Sequence, residues 1–337
     1  METQIDEHAR IPMLEPFTVK KTVAALSETE DYNHRMLNVP EMWKRSRGAG
    51  VKVVVLDTGC PQHLDIKVAG FKDFSGSPTP YDVACGHSTH VCGIIAALAN
   101  GIGVRGIAPD CELYCGKVLD DEGSGSFGAI ADGIYWAVDE VGADVVNMSL
   151  GCPPMGAYSP TLRAACAYAE KKGVVLCCAA GNDAGAVNAP ANLPTTIAVA
   201  AVDRDKDAAY FTCHGSEVDF AAGGVDVFST WLDNQYAKLS GTSMATPVIT
   251  GAVALIVGAA RAEGVKLTPD QVYQKLVGIS VDVDKPGKDE YTGNGIPVFT
   301  SQYEPEPSSQ DPAAPEKPVD PWWLKLLQWI AGLFRKA

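Results

Sequence analysis

Three short stretches of this 337-residue chain carry side chains suited to nucleophilic chemistry. The first is Gly241-Thr-Ser-Met-Ala-Thr-Pro247, where a small hydroxyl, Ser243, precedes an uncharged run. From Met244 to Ala260 every residue is apolar, Gly, Thr or Pro, so the run predicts a helix buried on nearly all sides. Ser243 at its mouth would meet the positive helix end, where backbone N–H groups can hold an anion. Gly241 is read as a tight turn before it, and Pro247 as part of the first helical turn, where a missing N–H costs little. The second stretch is Cys85-Gly-His-Ser-Thr-His-Val-Cys-Gly93, with His87 at a helix entrance and His90 one turn along. Its bases could activate a hydroxyl; two Cys and two His also admit a zinc reading, although the Cys spacing of structural zinc sites is missing. The third is Asp57-Thr-Gly59, a carboxylate at the end of the apolar run Val51–Leu56.

The elements that must position these groups follow from periodicity. Val51–Leu56, Leu113–Leu119, 144–149, 173–182 and 196–202 are apolar runs of strand character, separated by helical stretches near 127–141 and 162–172. That alternation predicts an α/β fold, a doubly wound, mostly parallel sheet with helices on both faces. Asp57 would then lie at the carboxyl end of a strand, where such sheets place their ligands. Thr268-Pro-Asp-Gln271 reads as a capped helix start.

The chain divides into an N-terminal extension, 1–37, polar and irregular; a main domain, 38–300; a Pro/Glu-rich linker, 301–320; and an amphipathic helix, 321–337. Formal charge is −14, a field that repels phosphate backbones, so nucleic acid is not an expected partner. The acidic N-terminus lacks the pattern of a signal peptide, and the 10 cysteines sit mostly in apolar runs, so a reduced, cytoplasmic setting is expected. In the tail, Asp320 and Pro321 would open the helix. Lys325, Gln328, Gly332, Arg335 and Lys336 form one stripe, opposed by Trp322, Trp323, Leu326, Leu327, Trp329, Ile330, Leu333 and Phe334. The 16 residues after Pro321 are too few to span a bilayer, which needs about 20. The helix is therefore read as lying on a membrane surface, with docking on protein as the alternative.

Over residues 38–300 these motifs, in their order, resemble the subtilisin-like serine proteases. Val53-Val-Val-Leu-Asp-Thr-Gly59 is similar to the family's Asp motif, Gly86-His-Ser-Thr-His-Val-Cys-Gly93 to its His motif, Gly241-Thr-Ser-Met-Ala-Thr-Pro247 to its Ser motif, and Ala179-Ala-Gly-Asn182 to its oxyanion segment. The resemblance implies an endopeptidase in which Ser243 attacks, His87 moves the proton, Asp57 orients the imidazole, and Asn182 with the Ser243 N–H holds the oxyanion. It further implies that Gly123-Ser-Gly125 and Ser149-Leu-Gly151 pair with peptide or unfolded protein substrates as added strands, giving broad specificity. Leu98-Ala-Asn-Gly-Ile-Gly-Val104 resembles the family's calcium loop. Asn100, the carbonyls of Leu98, Ile102 and Val104, and Asp65 would supply oxygens to Ca2+. Val39-Pro-Glu-Met-Trp43 and the reduced-looking cysteines resemble the intracellular branch, whose short extension carries an apolar-Pro motif, matched loosely here by Arg10-Ile-Pro-Met-Leu14; residues 1–37 are accordingly read as a short propeptide whose Ile11-Pro12 would dock across the cleft as an extended strand. Departures are Ser88, Val248, Ala222-Gly223 and Ala189-Pro190; Asn188 stands where the specificity pocket has a small residue, which leaves the P1 preference open. A catalytically silent peptide-binding or membrane-scaffold relative is the alternative function.

Overall fold

The computed structural model describes residues 6–14, 17–23, 27–154, 156 and 159–301. The expected amphipathic helix and the linker beyond Ser301 lie outside these residues.

The extension contributes strands β1 (Ile11–Pro12) and β2 (Thr18–Val23), then helix α1 (Tyr32–Met36), capped by the Asp31 carboxylate on Asn33 N. The segment expected to be irregular is thus largely ordered. Its register comes from partners far along the chain, with the Asn33 side chain bonded to both N and O of Gly223. Helix α2 (Val39–Trp43) follows, with Pro40 in its first turn. The apolar runs then form β3 (Lys52–Asp57), β4 (Val68–Asp73), β5 (Glu112–Lys117), the short β6 (Ser124–Gly125), β7 (Val145–Met148), β8 (Val175–Ala179), β9 (Ile197–Val202) and β10 (Val218–Gly223). Helices α3 (His87–Ala96), α4 (Phe127–Trp136, continued by a π turn to Val141) and α5 (Pro160–Lys171) connect them. β11 (Val227–Trp231) and β12 (Gln235–Ser240) form a hairpin that β2 extends as a third antiparallel strand. The chain continues through α6 (Thr242–Ala262), α7 (Pro269–Ile279), β13 (Ser280–Val281) and β14 (Ile296–Pro297). Thr268 and Gln271 form the expected reciprocal cap of α7.

Among the described residues the central sheet has seven strands, all parallel, in the order β10-β9-β8-β7-β3-β5-β4. The α/β, doubly wound reading is therefore correct. Its interior strands are buried on both faces, which is why they read as unbroken apolar runs. Helices α3 and α6 pack together on the sheet, and α4 and α5 form the other pair. Strand order reverses at β3, so Asp57 ends the strand at the switch point. Helix α6 is apolar and long enough to cross a membrane, but it is buried against β7, β8, β9 and β10.

Candidate active site

β3 delivers Asp57 and the first turn of α3 delivers His87, both fully buried. His87 Nδ1 stands 2.8 and 3.0 Å from the two Asp57 oxygens. A carboxylate only accepts, so Nδ1 carries the proton and Nε2 is left as the base. Nε2 is buried and has no hydrogen-bond partner among the described residues.

Ser243 is the second residue of α6, and its hydroxyl donates to the Ser149 carbonyl at 3.1 Å. Pro247 sits in the second turn of α6 and not, as expected, in the first. Its missing N–H would strand the Ser243 carbonyl four residues earlier. The Ser149 hydroxyl, which itself accepts from Asn147 Nδ2, donates to that carbonyl at 2.9 Å. Gly241 also differs from expectation. Its φ of 161° is extended backbone, so no tight left-handed turn requires glycine there. A Cβ would instead stand 3.2 Å from Asn182 Nδ2, and its absence keeps that donor's approach open. Asn182 Oδ1 is held by Thr242 N and Oγ1 at 2.8 and 2.9 Å, which aims Nδ2 away from them; Nδ2 is buried without an acceptor among the described residues. A fixed, unspent donor beside a helix N-terminus is what a developing oxyanion needs.

The zinc reading fails, because its side chains are committed apart. His87 faces Asp57. His90 Nε2 lies 3.1 Å from both Val227 O and Ala237 O, and burial pushes its pKa down to about 3, so it is a neutral donor tying α3 to the hairpin. Cys92 Sγ packs on Cys115 Sγ at 3.8 Å. Among the described residues all ten cysteines are free, and no group of three or more His, Cys, Asp or Glu could hold a metal ion.

The two expected substrate edges are brought together, and the extension lies between them. Ile11 and Pro12 pair antiparallel with Gly125 and Ser124. Met13 N and Leu14 N donate to Gly123 O, each at 3.1 Å, while Gly151 N donates to Met13 O at 2.8 Å. Leu150, between Ser149 and Gly151 in the second edge, is buried. Downstream, the Phe17 ring lies 5.1 Å from the His87 ring. Upstream, Arg10 pairs with Asp120, and Glu7 accepts from Ser159 Oγ at 2.6 Å. Asn188 is buried beside Gly151 and Gly181, and its N–H donates to Ala180 O.

In the Leu98–Val104 loop, the buried Asp65 carboxylate accepts from Asn100 Nδ2 (2.9 Å), Val104 N (3.0 Å) and the Tyr236 hydroxyl (3.3 Å). These donors are neutral, and burial pushes the Asp65 pKa up to about 6. Ile102 N donates to Asn100 Oδ1, and the Leu98 N–H to the Asp65 carbonyl. A buried carboxylate whose described partners are all neutral lacks the positive charge that a hard cation would supply. Sequence reasoning missed Glu28, whose carboxylate accepts from Gly101 N at 2.9 Å and pairs with Arg105. It also missed Asn147, Lys117 and Asp82; none of these stands in a stretch whose pattern sets it apart.

Residues 48–295 match the model of the Subtilase family. The chain is 39% identical over 279 residues to a thermostable alkaline protease of Halalkalibacterium halodurans, covering 82% of this chain and 74% of that one. It is 38% identical over 280 residues to an intracellular serine protease of Paenibacillus polymyxa, covering 79% and 84%. To Subtilisin Savinase of Lederbergia lenta the identity is 46% over 211 residues, covering 62% and 77%. With its seven-stranded parallel sheet and these matches, the chain belongs to the subtilase family and is a serine endopeptidase.

Proposed function

We propose that the chain hydrolyses peptide bonds through an acyl-enzyme on Ser243, and that its own extension restrains it. Ser243 Oγ attacks the scissile carbonyl while His87 Nε2 takes the hydroxyl proton, later returned to the leaving amine. Asp57 fixes the imidazole tautomer and stabilises the imidazolium. Asn182 Nδ2 and the Ser243 N–H donate to the tetrahedral oxygen. The observation that carries this reading is that His87 Nε2 and Asn182 Nδ2, the two atoms the reaction must use, are buried without partners among the described residues. Substrate would pair with Gly123–Gly125 and Ser149–Gly151 through its main chain, which suits broad specificity, with Asn188 shaping the pocket for P1.

Those same edges are taken by Ile11–Leu14, so peptide and extension compete for one set of hydrogen bonds. A fluorophosphonate probe tests both halves of the proposal, using the full chain and a chain beginning at Ser27. Labelling of Ser243 that is faster in the shorter chain is expected. Absence of labelling in both sinks the hydrolase reading, and equal rates sink the restraint.

Asp65, Asn100 and the carbonyls of Leu98, Ile102 and Val104, joined by Glu28, would hold a calcium ion, whose role is to stabilise the loop. The intracellular relative supports a cytoplasmic setting. Residues 321–337 are read as a membrane-surface anchor, tested by flotation with anionic and neutral vesicles against a chain ending at Thr300. Failure of the full chain to float on either leaves docking on protein as the account.

A further inference from the structure

A second buried carboxylate lies behind the Asp57–His87 pair. Asp82 is 2% exposed and takes four hydrogen bonds. Its Oδ1 accepts from Gly86 N (2.9 Å) and Thr58 Oγ1 (3.1 Å), and its Oδ2 accepts from Thr89 N (2.8 Å) and Thr89 Oγ1 (2.7 Å). Gly86 and Thr89 flank His87 in the first turn of α3, and Thr58 directly follows Asp57. The carboxylate therefore ties together the two backbone segments that carry the pair. Thr58 is gripped from three sides: its hydroxyl also accepts from Ser88 N at 3.2 Å, and its carbonyl accepts from the buried Lys117 ammonium. The Asp82 backbone is fixed to the same turn, with Asp82 N donating to Cys60 O and Cys60 N to Pro80 O, each at 2.9 Å. Gly59 makes this approach possible, because a Cβ there would stand 2.8 Å from Asp82 N.

The geometry points to Asp82 as a positioning residue that sets the Asp57–His87 hydrogen bond by clamping Thr58 to the first turn of α3. It touches no substrate atom and acts through its neighbours. Two acceptor oxygens are needed for four converging donors. An amide in place of the carboxylate keeps one oxygen and turns an NH2 toward donors already present. The inference rests on the Ser243 hydrolase reading and adds to it the residue that holds the dyad in register.

The test uses the full chain, with Asp82→Asn, Thr58→Val and Arg261→Ala. Arg261 pairs with Asp144 just before β7, at the opposite end of the sheet from the site, and serves as a control for a purely structural loss. Three quantities are read: kcat and KM on a chromogenic peptide, the rate of fluorophosphonate labelling, and the low-field proton resonance of His87 Nδ1–H. Asp82→Asn is expected to lower kcat and labelling by roughly 10–100-fold, the scale of a small misplacement of reacting groups, with KM within about twofold and the resonance shifted or lost. Thr58→Val should show a smaller fall in the same direction, and Arg261→Ala neither change. If Asp82→Asn does not fold, Thr58→Val decides: unchanged kcat and resonance overturn the inference. So does a folded Asp82→Asn that labels as fast as the parent. A parent chain that never labels would instead fail the hydrolase reading.

Discussion

The two halves of the site are built in opposite ways. Asp57 and the Nδ1 side of His87 are closed off: buried, bonded to each other through two oxygens, and held from behind by Thr58, whose N–H donates to Asp57 Oδ1 at 2.7 Å. His87 Nε2 and Asn182 Nδ2 are left unspent among the described residues, and the Ser243 hydroxyl is turned to the Ser149 carbonyl. On the proposed mechanism, groups whose partners persist through the reaction are satisfied by the protein. Groups that meet the substrate keep a valence in reserve, at the cost of burying an unsatisfied polar atom.

Removing the nucleophile should separate the halves most sharply. Ser243→Ala is expected to lose on the order of 10⁶ in kcat, the scale found when a triad nucleophile is deleted, while thermal unfolding stays near that of the parent. Substantial residual hydrolysis in mass-verified Ser243→Ala would break the assignment of roles. Asn182→Ala should cost about 10²–10³ in kcat with KM little changed, because the donor serves only the transition state. A rise in KM with kcat intact would make Asn182 a ground-state contact and erase the contrast with Asp57. Removing residues 1–26 is expected to raise kcat/KM on short peptides several-fold, since Met13 and Leu14 hold bonds that a peptide would make. Steady-state kinetics on both chains, with identical values, would show that the open half is not occupied by the extension in solution.

The smallest effect concerns Asp65, a buried carboxylate whose described partners are neutral donors. Its folded pKa is raised to about 6 by burial, above the ordinary carboxylate value, so ionisation is penalised in the fold. The stability associated with its protonated form is fully present below about pH 4 and is lost as pH rises through about 6. In chelator, Asp65→Asn should therefore raise Tm by roughly 2–4 °C at pH 8 and have little effect at pH 4. With calcium present the sign should reverse at pH 8, since the ion favours the charged carboxylate. Differential scanning in EDTA and in calcium checks both arms, and an Asp65→Asn shift indifferent to calcium removes the loop as a cation site.

The parallel sheet was legible because an unbroken apolar run such as Val53–Leu56 is a local signal of a strand buried on both faces. Helix α6 was legible for the same reason, and Asp57, His87, Asn182 and Ser243 stood out as candidates because each is marked by small residues beside it. What escaped the sequence depended on contacts between distant segments. The Asp82 clamp joins residues from Thr58 to Thr89 with no period or spacing to announce it, and Glu28 reaches Gly101 across more than seventy positions. Gly241 shows the same limit at a single residue: its sequence context suggests a turn, but its lack of a side chain serves Asn182, which arrives from 59 residues earlier. The chain's own residues determined which groups could do the chemistry, because side-chain type and strand or helix period are local properties. Only the tertiary structure decided which of those groups are satisfied and which are held in reserve, because hydrogen-bond partners are settled by packing between elements that the sequence keeps apart.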